Sequence, residues 1–410
     1  MMDALPQREV AAPPAPFRPA RFETWFALPL RLAWRQLRFE KARLLSAIAG
    51  VLFACVLVFM QLGFRSALFD SATALLSAMR AELFLINPLT TASFRPEPIP
   101  RIRAHQALAL PEVTQAVPVY MAQASWRNPV DGSRRAIQLI GFDVEARAMQ
   151  FTGLEALTDA LKRVDAVAFD QRSRPEFGPV AELLRQGGGS LRVQVANRLV
   201  DVVGLVDIGP SFGADGNLVV SEVNFRRLLP ERLPSNTDLV AIRLAPGADV
   251  AAAQRRLREI LPPDVTVLTQ AELVAWERRY WEEATPIGFI FGFGSVMGLI
   301  VGMVIVYQIL FSDVANHLRE YATLKAIGYS DWHLSRVVLG AALLLAVLGF
   351  IPGAILSSYL YGVIGEATFL PLAMDWERLF GVFGMIFAMC AAAGLLAMRK
   401  LRDADPADMF

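Results

Sequence analysis

The side chains best suited to chemistry in this chain are its carboxylates, and their spacing does not bring them together. Glu112, Asp131, Asp143, Glu155, Asp159 and Asp165 are scattered among arginines, whereas catalysis needs a nucleophile, a base and an oxyanion donor converging on one point. His105, His317 and His333 are the only histidines, and none stands near another soft ligand, so no zinc or haem spacing exists. Cys55 and Cys390 fall inside apolar runs, where a thiol packs as a small hydrophobe. The run Gly187, Gly188 and Gly189 lacks the Lys-Ser/Thr ending that sets a lysine on phosphates and a hydroxyl on magnesium. If ATP drives this protein, another chain binds the ATP and magnesium. A formal net charge of +1 leaves no footprint for nucleic acid. The expectation is a chain that is not an enzyme and has no metal or cofactor of its own.

Two other patterns point to mechanical contact. Residues 316–330 read NHLREYATLKAIGYS, and a short helix is expected over 314–327, with Gly328 as its stop and Ser330 as the N-cap of the next helix. On this knob Leu318, Tyr321 and Leu324 are candidate apolar anchors, Arg319, Glu320 and Lys325 form a polar rim, and Ala326 and Gly328 complete it. The second pattern is Gly294, Gly298 and Gly302, spaced by four residues, a ridge that lets another helix approach closely. It is read as a packing face, with the same helix of a second copy as candidate partner.

These patterns need elements to hold them. The chain has 410 residues, 54% of them hydrophobic and 19% charged, with a mean hydropathy of +0.40, too apolar for an ordinary soluble protein. A helix needs about 20 apolar residues to cross a hydrocarbon core of about 30 Å. Four stretches without Asp, Glu, Lys, Arg or His qualify: 44–64, 286–312, 337–361 and 379–398. Arg31, Arg35, Arg38, Lys41 and Arg43 precede the first, and Arg65 alone follows it, so both termini are expected in the cytoplasm. The basic residues of a cytoplasmic coupling segment, 313–336, and of a cytoplasmic tail, 399–410, agree, as does the acidic outer loop 362–378. Trp34 and Trp332 fit an inner aromatic belt, and Tyr280, Trp281, Tyr361 and Trp376 an outer one. No span carries charge at its middle, where a polar substrate path would need it.

Residues 1–20 are proline-rich and read as a disordered cytoplasmic tail, and 21–43 as an amphipathic juxtamembrane helix. Residues 65–285 are long enough for a folded domain. Strands are expected at 83–86, 117–125, 137–140, 191–206, 218–220, 239–244 and 265–268, and helices at 145–161, 222–229 and 250–260. Both ends of the domain look like stalk helices. One continues past Arg65, and the other starts on Thr269 and Glu272, which have capping-box spacing, with a kink expected at Pro286. The fold class is therefore membrane α-helical, with four transmembrane helices and a large α+β periplasmic domain inserted between the first and second.

The 316–330 segment resembles the coupling region of FtsX/MacB-like ABC permeases, in which an Arg-Glu pair precedes a Leu-Lys/Arg-Ala-Leu/Ile-Gly element, here Arg319, Glu320 and 324–328. LAWRQL at 32–37, FMQLGF at 59–64, DGNLVVS at 215–221, YATLKAIGY at 321–329 and RKLRDADPAD at 399–408 are similar to DevC-type permeases of heterocyst-type exporters. The resemblance implies a homodimeric permease of the bacterial inner membrane working with a separate ABC ATPase, a periplasmic membrane-fusion adaptor and an outer-membrane exit duct. The alternative it leaves is a relay that moves a periplasmic hydrolase and transports nothing.

Overall fold

A computed structural model describes residues 41–317, 319, 320, 323, 327 and 331–402, without the side chains of 331–334 and 399–402. The expected tail and juxtamembrane helix before residue 41, and the last eight residues, lie outside the described residues. Two compact units are present. One comprises Leu57–Val296 and Ile355–Leu379, and the other Met297–Ala354 with the described parts of Met1–Val56 and Phe380–Phe410.

Four helices are long and apolar enough to cross a membrane: α1 (Lys41–Ser77), α5 (Ile287–Asn316), α6 (Asp331–Thr368) and α7 (Trp376–Arg402). Between α1 and α5 lies a nine-stranded sheet: β1 (Leu83–Ile86), β2 (Val113–Arg127), β3 (Arg134–Phe142), β4 (Ala166–Asp170), β5 (Leu191–Val195), β6 (Arg198–Val206), β7 (Asn217–Ser221), β8 (Leu239–Leu244) and β9 (Thr266–Thr269). Helices α2 (Glu222–Leu228), α3 (Val250–Ile260) and α4 (Gln270–Ala284) accompany it. The spatial order is β9-β1-β8-β2-β3-β7-β4-β6-β5, and β5 also pairs with β2, so the second half of the sheet closes on itself. Only β3 with β7 and β4 with β6 run parallel. Strand β2, 15 residues long, serves both halves.

Alternation along the strands divides the buried side chains. Trp126, Phe169, Phe177 and Val193 share one cluster. Phe84, Met121 and Phe142 pack on the stalk residues Leu76 of α1 and Leu273 of α4. Leu83, Val240 and Leu257 form a third cluster, which includes a residue of α3.

The helix expected over 145–161 is absent. Short turns at Val144–Ala146 and Glu155–Leu157 and a single helical turn at Thr158–Leu161 stand there instead. The cause is Gly153 at φ +89, where a Cβ would lie 2.6 Å from the Leu205 carbonyl oxygen, so the chain turns at a position only glycine fits. The single strand expected over 191–206 is a hairpin, turning at Ala196 with φ 43. The kink expected at Pro286 is a break: Thr285 is extended at φ −125 and ψ 147, as the residue before a proline prefers, and α4 and α5 are separate helices.

Candidate functional site

The connection between α5 and α6 begins at a fixed point. Asp313, in the last turn of α5, pairs with Arg43 at 3.6 Å, and its carbonyl oxygen accepts from the backbone N–H of His317 at 3.1 Å. Arg319 and Glu320 are helical and exposed. The Thr323 hydroxyl donates to the Arg319 carbonyl at 2.9 Å, and Ile327 N–H donates to the Thr323 carbonyl at 3.1 Å, each spanning four residues. Leu318, Tyr321, Leu324, Lys325, Ala326 and Gly328 lie outside the described residues. Ile327 is 70% exposed, an apolar side chain presented to solvent. It was absent from the expected anchors, although it continues the three-residue spacing 318, 321, 324.

The glycine ridge lies against the chain's own first helix. In one unit a Cβ at Gly294 would stand 2.5 Å from the amide nitrogen of Gln61; in the other, one at Gly302 would stand 2.5 Å from Ala54 Cβ and 2.7 Å from Met389 Sδ. Gly298 is buried. On the same helix Phe289, Ile290, Phe293 and Val296 are exposed, so the apolar surface left open is not the glycine face.

The stalk is built from α1 and α4. The Thr269 side chain accepts from Glu272 N–H at 3.2 Å while the Glu272 carboxylate accepts from Thr269 N–H at 2.8 Å, a complete capping box that fixes where α4 starts. Two ion pairs join the helices, Arg65 with Glu282 at 3.5 Å and Asp70 with Arg278 at 2.8 Å. Phe64 stacks on Phe291 at 6.2 Å between centroids. Next to Arg278, Glu277 is buried beside Trp281. Its carboxylate accepts from Ser93 N–H and from the Trp281 indole N–H, each at 2.8 Å, and burial pushes its pKa above the ordinary glutamate range. Glu277 was not singled out in the sequence, where it reads as one more charge on a polar helix.

Two outer-belt aromatics have other roles. Trp281 packs with Phe69 and Phe94, and Tyr361 is buried with its hydroxyl donating to the Phe59 carbonyl, over Gly63. Trp376 is exposed.

Among the described residues no group of three or more His, Cys, Asp or Glu side chains comes together to hold a metal. The geometry on view is that of a braced pair of helices and of a connection from α5 to α6 that starts on the Arg43–Asp313 pair. The family profile for the MacB-like periplasmic core domain matches residues 44–260, more than half of the chain, and that for the FtsX-like permease C-terminal matches 292–406. The chain belongs to the FtsX/MacB-like family of ABC transporter permeases, which work with an ABC ATPase.

Among solved structures it is similar to the periplasmic region of MacB from Actinobacillus actinomycetemcomitans, with 12% identity and TM-score 0.35 over 51% of this chain and 96% of that one. It is also similar to the extracellular domain of the noncanonic ABC-type transporter YknZ from Gram-positive bacteria, with 13% identity and TM-score 0.30 over 46% and 98%. A domain of a putative permease from Porphyromonas gingivalis gives 14% identity and TM-score 0.27 over 47% and 89%. Among curated proteins none matches the chain.

Proposed function

We propose that this chain is the membrane subunit of an ATP-driven tripartite exporter of the DevC type, turning closure of a separate ATPase into movement of the domain formed by residues 65–285. The observation that carries this reading is α1, one helix of 37 residues whose end beyond Arg65 is strapped to α4 by two ion pairs. A helix continuous over that length passes a displacement along its axis better than a flexible linker does. In this reading segment 313–336 sits in a cleft of the ATPase, which binds the ATP and magnesium. Both termini are cytoplasmic, the α/β domain is periplasmic, and a second copy, a membrane-fusion adaptor and an outer-membrane duct complete the assembly. Uncharged spans support substrate handling outside the bilayer rather than through it.

Affinity purification of the full chain from detergent extract, with mass spectrometry of what accompanies it, tests this. An ABC ATPase together with a membrane-fusion adaptor is expected. An ATPase with a cell-wall hydrolase and no adaptor would replace the exporter by a relay, and no ATPase at all would end both readings.

A further inference from the structure

The closed half of the sheet carries an arginine cluster that the transport reading leaves without a task. Arg127 and Arg134 stand directly opposite each other across β2 and β3, and Arg135 is opposite Trp126. Trp126 also pairs with Val195, which is opposite Arg198. Strands are about 4.8 Å apart and side chains alternate between faces, so Arg127 and Arg134 share one face and Arg135 and Arg198 the other, all four at the same end of the closed half of the sheet. All four residues are exposed, and none forms a salt bridge among the described residues. Arg127 donates to the Gln194 amide oxygen at 3.4 Å. The nearby Asp131 accepts from Ser133 N–H at 2.8 Å and the Ser133 hydroxyl at 2.7 Å, and these bonds, with the charge of Arg135, hold its pKa below the usual carboxylate range. Like charges directly opposite in a sheet are destabilising, so the arrangement costs stability and calls for an anionic partner.

The turn joining β2 to β3 presents Val130, 66% exposed, at its tip, and Leu199 beside the cluster is 63% exposed. This turn is firmly held. Asn128 accepts from Val130 N–H at 2.9 Å and donates to the Glu176 carbonyl at 3.1 Å, while the Trp126 indole donates to the Phe177 carbonyl at 3.1 Å.

The same anchoring fixes the turn's level. Glu176 and Arg174 line a cavity of about 350 Å³ together with Leu68, Ser71 and the end of α6 at Thr368. The Arg172 guanidinium donates to the carbonyl of Phe369, one residue past that end, at 3.3 Å. Arg65 is the first charge on α1 beyond the uncharged run 44–64, so at about 1.5 Å per residue Leu68 and Ser71 stand roughly 5 and 9 Å past the apolar boundary. Headgroups occupy about 5–8 Å on each side of the hydrocarbon core. The cavity and Arg172 thus stand at headgroup level, Arg174 is paired with Asp215 at 2.7 Å, and the bond from Asn128 to Glu176 sets the β2–β3 turn with its arginines beside them.

We propose that this rim of the α/β domain rests on the membrane surface beneath it, with Arg127, Arg134, Arg135 and Arg198 binding anionic phospholipid headgroups and Val130 entering the interface. The proposal rests on the helices crossing a membrane and is independent of what is exported. The test uses the full chain carrying Val130→Cys, labelled with an environment-sensitive fluorophore; Cys55 and Cys390 are buried and stay. Nanodiscs of phosphatidylcholine alone are compared with nanodiscs of equal parts phosphatidylcholine and phosphatidylglycerol.

A blue shift, with quenching by headgroup spin-labelled lipid, is expected only in the anionic discs, and both should fade at high salt and in Arg127→Gln/Arg134→Gln/Arg135→Gln. Identical spectra in the two discs overturn the proposal, and this comparison stands even if the triple variant folds poorly. A shift that survives the triple variant in folded protein, or one that appears only on adding a protein partner, overturns it as well.

Discussion

Leu324→Asp is expected to release the partner ATPase while leaving the permease inserted in the membrane at its usual level. A few buried apolar side chains carry most of the energy of a docking contact, and an unpaired carboxylate forced into that contact costs several kcal/mol. A loss of about 3 kcal/mol weakens binding by on the order of 100-fold, enough to lose the ATPase during purification and to abolish stimulation of hydrolysis. The four-residue bonds from Thr323 to Arg319 and from Ile327 to Thr323 suit a compact segment for such a contact, and the exposed Ile327 continues the Leu318, Tyr321, Leu324 spacing. Arg319→Ala or Lys325→Ala, at the rim, should cost much less. If the Leu324→Asp protein reaches normal amounts in the membrane and still co-purifies with a stimulated ATPase, the docking role is wrong.

Asp170→Ala should give the largest loss of stability in the α/β domain. The Asp170 carboxylate is completely buried at the end of β4. One oxygen accepts from Arg172 N–H at 3.1 Å and Ile208 N–H at 3.0 Å, the other from Gly209 N–H and the Asn217 side-chain amide, both at 2.9 Å. Burial raises its pKa, and the four donors oppose that. Removing the carboxylate strands those donors, at about 1–3 kcal/mol for each buried group left without a partner, less than additively. A total near 3 kcal/mol corresponds to a melting temperature lower by roughly 6–12 °C for a domain of this size. Thermal unfolding of the full chain in detergent measures it, and a change below about 2 °C would show that water replaces the carboxylate at little cost.

How much of this was legible in the sequence depended on whether local pattern or tertiary contact decided the outcome. The spans stood out because uncharged runs of that length have few other uses. The stalk's capping box was readable at Thr269 and Glu272 because a cap is local chemistry. Strands 83–86 and 239–244 match because each is a short apolar run closed by turn residues, and helix 250–260 because its apolar positions keep a helical period after an Asp249 cap.

The 145–161 segment misled because Val144, Ala148, Phe151 and Leu154 have near-helical spacing yet are buried from irregular turns. Strand β4, AVAFD, does not stand out because Ala166, Ala168 and Asp170 are weak strand formers and leave only Val167 and Phe169 as a signal. For the site, the ridge of glycines was legible, but its partner was not: periodicity marks a face suited to close approach without saying that Gln61 and Ala54 of the same chain lie against it. Nor does a sequence disclose that Glu277 is buried and receives the backbone of Ser93, a contact across 184 positions.

Hydrogen–deuterium exchange on the reconstituted permease–ATPase complex shows whether ATPase movement reaches the α/β domain through the braced helices. Adding ATP should change exchange in residues 65–77 and 270–284, where Arg65 pairs with Glu282 and Asp70 with Arg278, and the change should vanish in Leu324→Asp. Exchange that stays the same in both segments while the wild-type complex hydrolyses ATP would contradict the account.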